Sequence, residues 1–202
     1  MGPSSQDTPP KPTTTQLAAA AGLFYALMAG IGVWLIDFQG LDATRVIWGD
    51  GSQVVRDTLV GGGVGLAVVL IGFLFRDWGP LKRLGSELAR ELGPVGTWTI
   101  AVLALTSSVG EEILFRGAMQ QGLGLIPTIL IFGVLHGGFS KRLRLWAIFA
   151  MLAGAILGWL TLLTDNLLAP ILCHLTINYF NLHLLVDEHR QPTEKQDGSP
   201  PE

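Results

Sequence analysis

Six long apolar stretches dominate the sequence and leave it few possible folds. They lie at about residues 17–36, 59–75, 95–109, 123–139, 145–163 and 167–186. A membrane-spanning helix needs about 20 predominantly apolar residues, or about 17 at the short end. Because hydrocarbon offers no hydrogen-bond partner to an open backbone, the sequence predicts an all-α, polytopic membrane protein with about six transmembrane helices.

The third stretch reaches spanning length only if its helix continues through a charged motif to about Gln121. Residues 111–121 contain no proline, so we expect the helix to continue, and Gly122 then offers a stop. The first stretch has a cleaved signal peptide as its alternative. Its apolar core is longer than the usual run of about 7–15 residues and only Lys11 precedes it, so a retained span is expected.

The two ends of the chain differ in composition from its centre. Residues 1–16 are rich in Pro, Ser and Thr, and residues 190–202 are polar and contain further prolines. Such segments bury too little apolar area to fold alone, so we expect disordered tails around one integral membrane domain at residues 17–189. The net charge of −3, without a long basic tract, argues against nucleic acid as a partner.

Loop charges predict the orientation, because basic loops remain in the cytoplasm. Placing the amino terminus inside puts most of the 13 Lys and Arg residues on the cytoplasmic side. Both termini are therefore expected to be cytoplasmic. Residues 80–92 alternate apolar and charged side chains at helical spacing, which predicts a short amphipathic helix on the cytoplasmic membrane surface.

Glu111, Glu112 and Arg116 lie in the extended third span, where inserting a charge costs roughly 2.5–3.5 kcal/mol. Glu112 and Arg116 are four residues apart on a helix, so we expect them to face each other and form an ion pair. Glu111 points about 100° away and is left unpaired in an apolar wall. Desolvation favours the neutral form of such an acid, which suits a general base. The alternative is a purely structural pair of glutamates.

His136 lies in the fourth stretch, and glycines flank it on both sides. Gly133, Gly137 and Gly138 leave space for a backbone or a substrate to approach closely. A lone histidine on an apolar helix is usually a satisfied core residue. Its occurrence together with Glu111 favours a functional role.

The last stretch carries His174 and Asn178 four residues apart, and Asn181 follows seven residues after His174. This spacing predicts one polar stripe on an otherwise apolar helix. An imidazole and an amide on one stripe can donate hydrogen bonds to a developing oxyanion. The alternative is that these side chains only hydrogen-bond between helices.

The same buried residues also fit two other classes of protein. Buried Glu and His side chains form proton relays, so a proton-coupled membrane transporter is one alternative. It would conduct protons and keep partial function in a Glu111→Asp variant. A catalytically inactive membrane scaffold is the other alternative, and it would tolerate both Glu111→Ala and His136→Ala.

Three short patterns occur in order within the apolar stretches of the second half of the chain. They are Glu111-Glu112-x-x-x-Arg116, Phe132-x-x-x-His136 and His174-x-x-x-Asn178. Together they resemble the type II CAAX prenyl protease family, also called the Abi or CPBP family of intramembrane proteases. The resemblance covers about residues 95–186. It implies an endopeptidase that hydrolyses a membrane-associated, prenylated or CAAX-like protein or peptide, with the lipid bilayer and that substrate as partners, in a bacterial cell (inner) membrane.

The resemblance also implies roles for the motif residues. Glu111 and His136 would activate the attacking water, and His174 with Asn178 would stabilise the oxyanion. Glu112 and Arg116 would act as a supporting pair. The cofactor stays open, since Glu111, His136 and His174 supply three oxygen or nitrogen ligands for zinc. The HExxH motif is absent, however, so the residues also allow a metal-free reaction.

Overall fold

The computed structural model describes residues 13–194, and the side chains of residues 13–187. This part of the chain folds into α-helices joined by short turns, with two π-helical segments inserted. The elements are α1 Thr14–Phe38, α2 Ala43–Trp48, α3 Val54–Leu74, α4 Gly79–Leu92, α5 Thr97–Glu111, the first π-helical segment Glu112–Met119, α6 Gln120–Leu123, α7 Leu125–Gly133, the second π-helical segment Val134–Gly138, α8 Arg144–Thr164 and α9 Leu168–Glu194.

Five helices in the described part of the chain are long and apolar enough to cross a membrane. They are α1, α3, the continuous helix Thr97–Leu123, α8 and the Leu168–Asp187 part of α9. The fourth predicted span is a shorter apolar helix, Leu125–Gly138. The prediction of an all-helical, polytopic membrane protein is therefore confirmed, with five full-length spans and one shorter apolar helix.

The helix that carries the charged motif runs without interruption over Thr97–Leu123, as predicted. Its backbone is π-helical over Glu112–Met119. The predicted stop at Gly122 is wrong, because Gly124 ends the helix with a φ of 86°, a conformation that favours glycine. Gly122 instead leaves space for the side chain of Gln39.

Large apolar side chains cover the outside of the spanning helices. Leu23, Trp34, Leu70, Trp159 and Leu163 are each more than half exposed. A water-soluble protein rarely exposes apolar patches of this extent. The exposed surface of these helices therefore suits contact with lipid.

Glycines let the spanning helices pack closely around the charged motif. Gly61 of α3 lies against the backbone carbonyl of Ala169 in α9. Gly110 of α5 lies against the backbone and side chain of Tyr25 in α1. A Cβ atom at either glycine would meet these neighbours, so both helix pairs depend on the missing side chain.

The predicted amphipathic helix is confirmed as α4, Gly79–Leu92. Its apolar residues Leu84 and Ala89 are buried in the bundle. On its polar side, Glu87 lies 3.2 Å from the Arg142 guanidinium. The ion pair ties α4 to the loop that follows the second π-helical segment.

The predicted tails lie largely outside the described residues, which begin at residue 13 and end at residue 194. α1 begins at Thr14 because Thr13 and Gln16 form a capping box. The Thr13 hydroxyl accepts from the Gln16 backbone N–H, and the Gln16 side chain accepts from the Thr13 backbone N–H. At the other end, α9 continues to Glu194.

Candidate active site

The predicted ion pair within the charged motif is present. Arg116 Nη1 lies 2.9 Å from Glu112 Oε1, and both side chains are almost completely buried. Arg116 Nη2 also donates to the backbone carbonyl of Gly154 at 3.4 Å. Its guanidinium lies over the Phe132 ring, 4.3 Å from the centroid. Burial, an ion pair and a cation–π contact therefore fix this arginine.

Glu112 also contacts the last helix. Its Oε1 atom lies 2.7 Å from Nδ1 of His174, a residue that is 7% exposed. An ionised carboxylate can only accept hydrogen bonds, so the histidine N–H donates. This contact sets the tautomer and the orientation of the imidazole, and it directs Nε2 of His174 away from Glu112.

Glu111 lies between the two histidines. Its Oε2 atom is 3.7 Å from His136 Nε2 and 3.9 Å from His174 Nε2. Glu111 is 6% exposed, and Oε2 has no hydrogen-bond partner among the described residues. Two polar atoms separated by more than 3.5 Å can be joined by a water molecule. The three side chains therefore surround one point between separate helices.

His136 owes its position to the second π-helical segment. Its Nδ1 atom lies 2.8 Å from the Phe132 carbonyl oxygen, which can only accept, so Nδ1 carries the hydrogen and Nε2 keeps a free lone pair. The helix kinks at this point, with a φ of 107° at Gly137. A Cβ atom at Gly137 would come within 2.6 Å of Leu143 Cβ. The glycine therefore allows the kink that turns His136 toward Glu111.

Phe132 forms the apolar base of the site. Its ring centroid lies 4.2 Å from that of His136 and 4.9 Å from that of Phe115. The ring also packs against Arg116 and lies 6.4 Å from the His174 ring. The Phe132 ring thus lies between the Arg116 guanidinium and the His136 ring.

The polar stripe predicted on α9 is only partly present in the site. Asn178 is half-buried, and its Nδ2 atom donates to Ser107 Oγ at 2.9 Å. Asn181 shares this face by its spacing but is exposed, so it lies outside the buried site.

Asp57, a buried carboxylate outside the site, differs from Glu111 in its hydrogen bonding. Asp57 in the first turn of α3 is 1% exposed, but it accepts from Arg56 Nε at 2.7 Å and from Asn166 Nδ2 at 2.6 Å. Its hydrogen bonds join α3 to the turn between α8 and α9. Glu112 Oε2 is also buried without a partner, so the feature that distinguishes Glu111 is an unpartnered oxygen that faces two histidine Nε2 atoms.

Comparison with known protein families matches the segment of the chain that carries the candidate site. Residues 93–180 match the family model described as type II CAAX prenyl endopeptidase Rce1-like. The matched region contains the charged motif and both histidines, whereas α1 and α3 lie outside it.

One curated relative extends this similarity to most of the chain. The chain is 28% identical over 204 aligned positions to the uncharacterized protein YpbD of Bacillus subtilis (strain 168), covering 92% of this chain and 94% of the relative. No solved structure matches the chain.

Two residues near the candidate site were not assigned a role from the sequence. The Tyr25 hydroxyl lies beside the Glu111 carboxylate, but Tyr25 is on α1, outside the family match. Ser107 binds Asn178. A serine one turn before the charged motif is a weak signal, and nothing in the sequence shows which helix α1 contacts.

The candidate site contains three side chains with the oxygen or nitrogen donors that zinc binds, Glu111, His136 and His174. Zinc ligands lie about 2.0–2.2 Å from the ion. Within the described residues, no group of three or more His, Cys, Asp or Glu side chains is arranged to hold a metal ion. We therefore assign no metal ligand to Glu111, His136 or His174.

Proposed function

We propose that the protein is an intramembrane endopeptidase in which Glu111 and His136 activate water. The observation that carries this proposal is the position of Glu111 Oε2. This buried oxygen has no hydrogen-bond partner among the described residues and faces His136 Nε2 and His174 Nε2 at 3.7 and 3.9 Å. Asp57, a buried carboxylate in the same bundle, accepts a hydrogen bond at each of its two oxygens.

The nucleophile in this proposal is a water held between Glu111 and His136. The His136 Nε2 lone pair accepts one hydrogen of the water, and Glu111 Oε2 accepts the other. Glu111 takes a proton as the water oxygen attacks the carbonyl carbon of the peptide. The C–N bond then breaks, and the departing nitrogen takes that proton from Glu111.

His174 and Asn178 stabilise the oxyanion that forms during the attack. With both glutamates ionised and Arg116 charged, the cluster carries one net negative charge, and a protonated His174 makes it neutral. A neutral cluster is favoured where water is excluded. An imidazolium donates from both ring nitrogens, so Nδ1 can bind Glu112 while Nε2 binds the oxyanion.

The substrate in this proposal is a membrane-associated protein or peptide, prenylated or CAAX-like. The family match supports this class, because its description names a CAAX prenyl endopeptidase. The helices that form the site include two of the full-length spans and the shorter apolar helix Leu125–Gly138, so the cleaved bond reaches the site from the bilayer or its surface. A peptide anchored by an apolar group would enter from the same environment.

The decisive experiment compares wild type and Glu111→Gln after purification in detergent. The probe is an internally quenched peptide whose farnesylated cysteine precedes three residues, together with the same peptide without the farnesyl group. We expect Glu111→Gln to lower kcat at least about 100-fold, as the loss of a general base does. Glu91→Gln, at a largely exposed position, is the matched control and should retain activity.

Equal cleavage by wild type and Glu111→Gln would overturn the catalytic assignment. A proton flux through wild-type liposomes that Glu111→Gln abolishes, without cleavage, would favour a transporter instead. Full activity on the peptide without the farnesyl group would keep the endopeptidase but remove prenylation from the substrate class.

We also propose that both termini face the cytoplasm of a bacterial cell, in its (inner) membrane. The distribution of Lys and Arg supports this orientation, and the Bacillus relative supports a bacterial setting. Ser52→Cys and Lys141→Cys place thiols in loops on opposite sides in this arrangement, while the native Cys173 is buried. In intact cells, a membrane-impermeant maleimide should label residue 52 and leave residue 141 unlabelled. The reverse pattern would contradict the orientation.

A further inference from the structure

The amide of Asn178 has a fixed neighbour that belongs to the charged helix. Asn178 Nδ2 lies 2.9 Å from Ser107 Oγ, and Ser107 is 7% exposed. We propose that Ser107 is a positioning residue that orients the Asn178 amide toward the oxyanion. This inference rests on the proposed function, because it concerns the same reaction.

The hydrogen bonds of Ser107 determine which end of the amide it can bind. Its hydroxyl donates to the Ala104 backbone carbonyl at 3.3 Å. A hydroxyl has one hydrogen, so its oxygen is then left to accept. The amide atom facing Ser107 is then the nitrogen, and its second N–H is left for another acceptor. With the amide flipped, the hydroxyl would have to give up its bond to Ala104 in order to donate to the amide oxygen.

Two contacts link the same pair of helices within the site. His174 of α9 binds Glu112, and one turn further along α9, Asn178 binds Ser107. Glu111 lies between the two contacts along the charged helix. The helix that carries the general base therefore also orients both oxyanion donors, so their positions relative to the base are set by one rigid element.

Ser108 supplies a matched control for a test of this role. It is the next residue, is completely buried, and donates to the same Ala104 carbonyl at 2.7 Å. The structure gives it no bond to Asn178 among the described contacts. Ser108→Ala therefore removes a buried hydroxyl of the same kind and leaves the amide partner in place.

The first readout is a double-mutant cycle on cleavage of the farnesylated probe. We expect Ser107→Ala to lower kcat about 3- to 10-fold with KM nearly unchanged, the loss typical of one hydrogen bond. In an Asn178→Ala background the same substitution should have no further effect, because the amide that it orients is gone. Ser108→Ala should stay within about twofold of wild type, and Ser107→Thr, which keeps the hydroxyl, should retain most of the activity. Equal losses in Ser107→Ala and Ser108→Ala, or fully additive losses in the double variant, would overturn the proposal.

The second readout does not depend on activity. The sequence contains three asparagines, Asn166, Asn178 and Asn181, so selective ¹⁵N-asparagine labelling gives three side-chain NH₂ pairs in an NMR spectrum. Ser107→Ala should shift one proton of the Asn178 pair, and Ser108→Ala should shift neither. An unshifted Asn178 pair in Ser107→Ala sinks the positioning role even if the enzyme is active. Failure of the proposed function would appear separately, as cleavage that does not depend on Glu111.

Discussion

His174 Nδ1 and Glu112 Oε1 lie 2.7 Å apart, and the same carboxylate oxygen accepts from Arg116 at 2.9 Å. Glu112 is therefore the junction between the charged helix and the last helix. It neutralises a buried guanidinium and, at the same time, directs a histidine toward Glu111. The two adjacent glutamates thus contribute differently, one by orienting neighbours and the other by facing the site.

Substitution of Glu112 should affect both stability and activity. Glu112→Ala leaves the Arg116 charge buried without its carboxylate, which costs about 3–5 kcal/mol for a buried ion pair that loses one partner. We expect a lower midpoint of thermal unfolding in detergent, measured by tryptophan fluorescence, together with loss of cleavage.

A paired variant separates the two effects. Glu112→Leu combined with Arg116→Met removes both charges and should recover much of the unfolding midpoint. It should not recover cleavage, because His174 still lacks its acceptor. An active paired variant would show that the Glu112–His174 contact is dispensable.

The kink beside His136 gives a prediction with a neighbouring control. Gly137→Ala forces a side chain into a left-handed backbone and against Leu143, so we expect a destabilisation of about 1–3 kcal/mol and a large loss of kcat. Gly138→Ala meets only ordinary contacts at 3.4 Å or more and should be much milder. Unfolding midpoints and steady-state rates of the two variants check this, and equal behaviour would show that the kink is not needed.

The α3–α9 contact predicts opposite effects at adjacent glycines. A Cβ atom at Gly61 would collide with the Ala169 carbonyl, so Gly61→Ala should lower the unfolding midpoint clearly. At Gly62 a Cβ atom meets nothing within 4 Å, and alanine there should raise helix stability by up to about 1 kcal/mol. Parallel thermal unfolding of the two variants tests the packing, and a Gly61→Ala protein as stable as wild type would refute it.

Removing metal ions tests whether the reaction proceeds with side chains alone. Because no described group of His, Cys, Asp or Glu side chains is arranged as a metal site, dialysis against a strong chelator should leave kcat unchanged. Metal content of the purified protein should be well below one ion per chain by elemental analysis. Activity that falls on chelation and returns with zinc would assign Glu111, His136 and His174 as ligands instead.

The spans could be predicted from the sequence because lipid leaves an apolar chain few alternatives to a helix. The continuation of the third span through its charges followed from the absence of proline. The π-helical turns could not be predicted, since an extra residue in a turn is accommodated by neighbouring helices and has no pattern of its own. Gly122 and Gly124 are equally plausible stops in the sequence, and the structure shows that Gly124 takes a backbone conformation with positive φ while Gly122 faces Gln39.

The local part of the site was predictable and the part between helices was not. The Glu112–Arg116 pair follows from spacing on one helix. The bond from His174 to Glu112 joins residues 62 positions apart and depends on how α9 rotates against α5. Asn181 is exposed, and spacing along one helix does not reveal how far its neighbours cover each residue.

A single residue, Gly124, separates the charged helix from α7. Phe132, eight residues after it, packs on Arg116, eight residues before it, so the two helices run back along each other. A reversal this tight keeps the two helices side by side whenever both are in the bilayer. The guanidinium therefore takes its aromatic neighbour from its own helical hairpin and needs no distant helix for it.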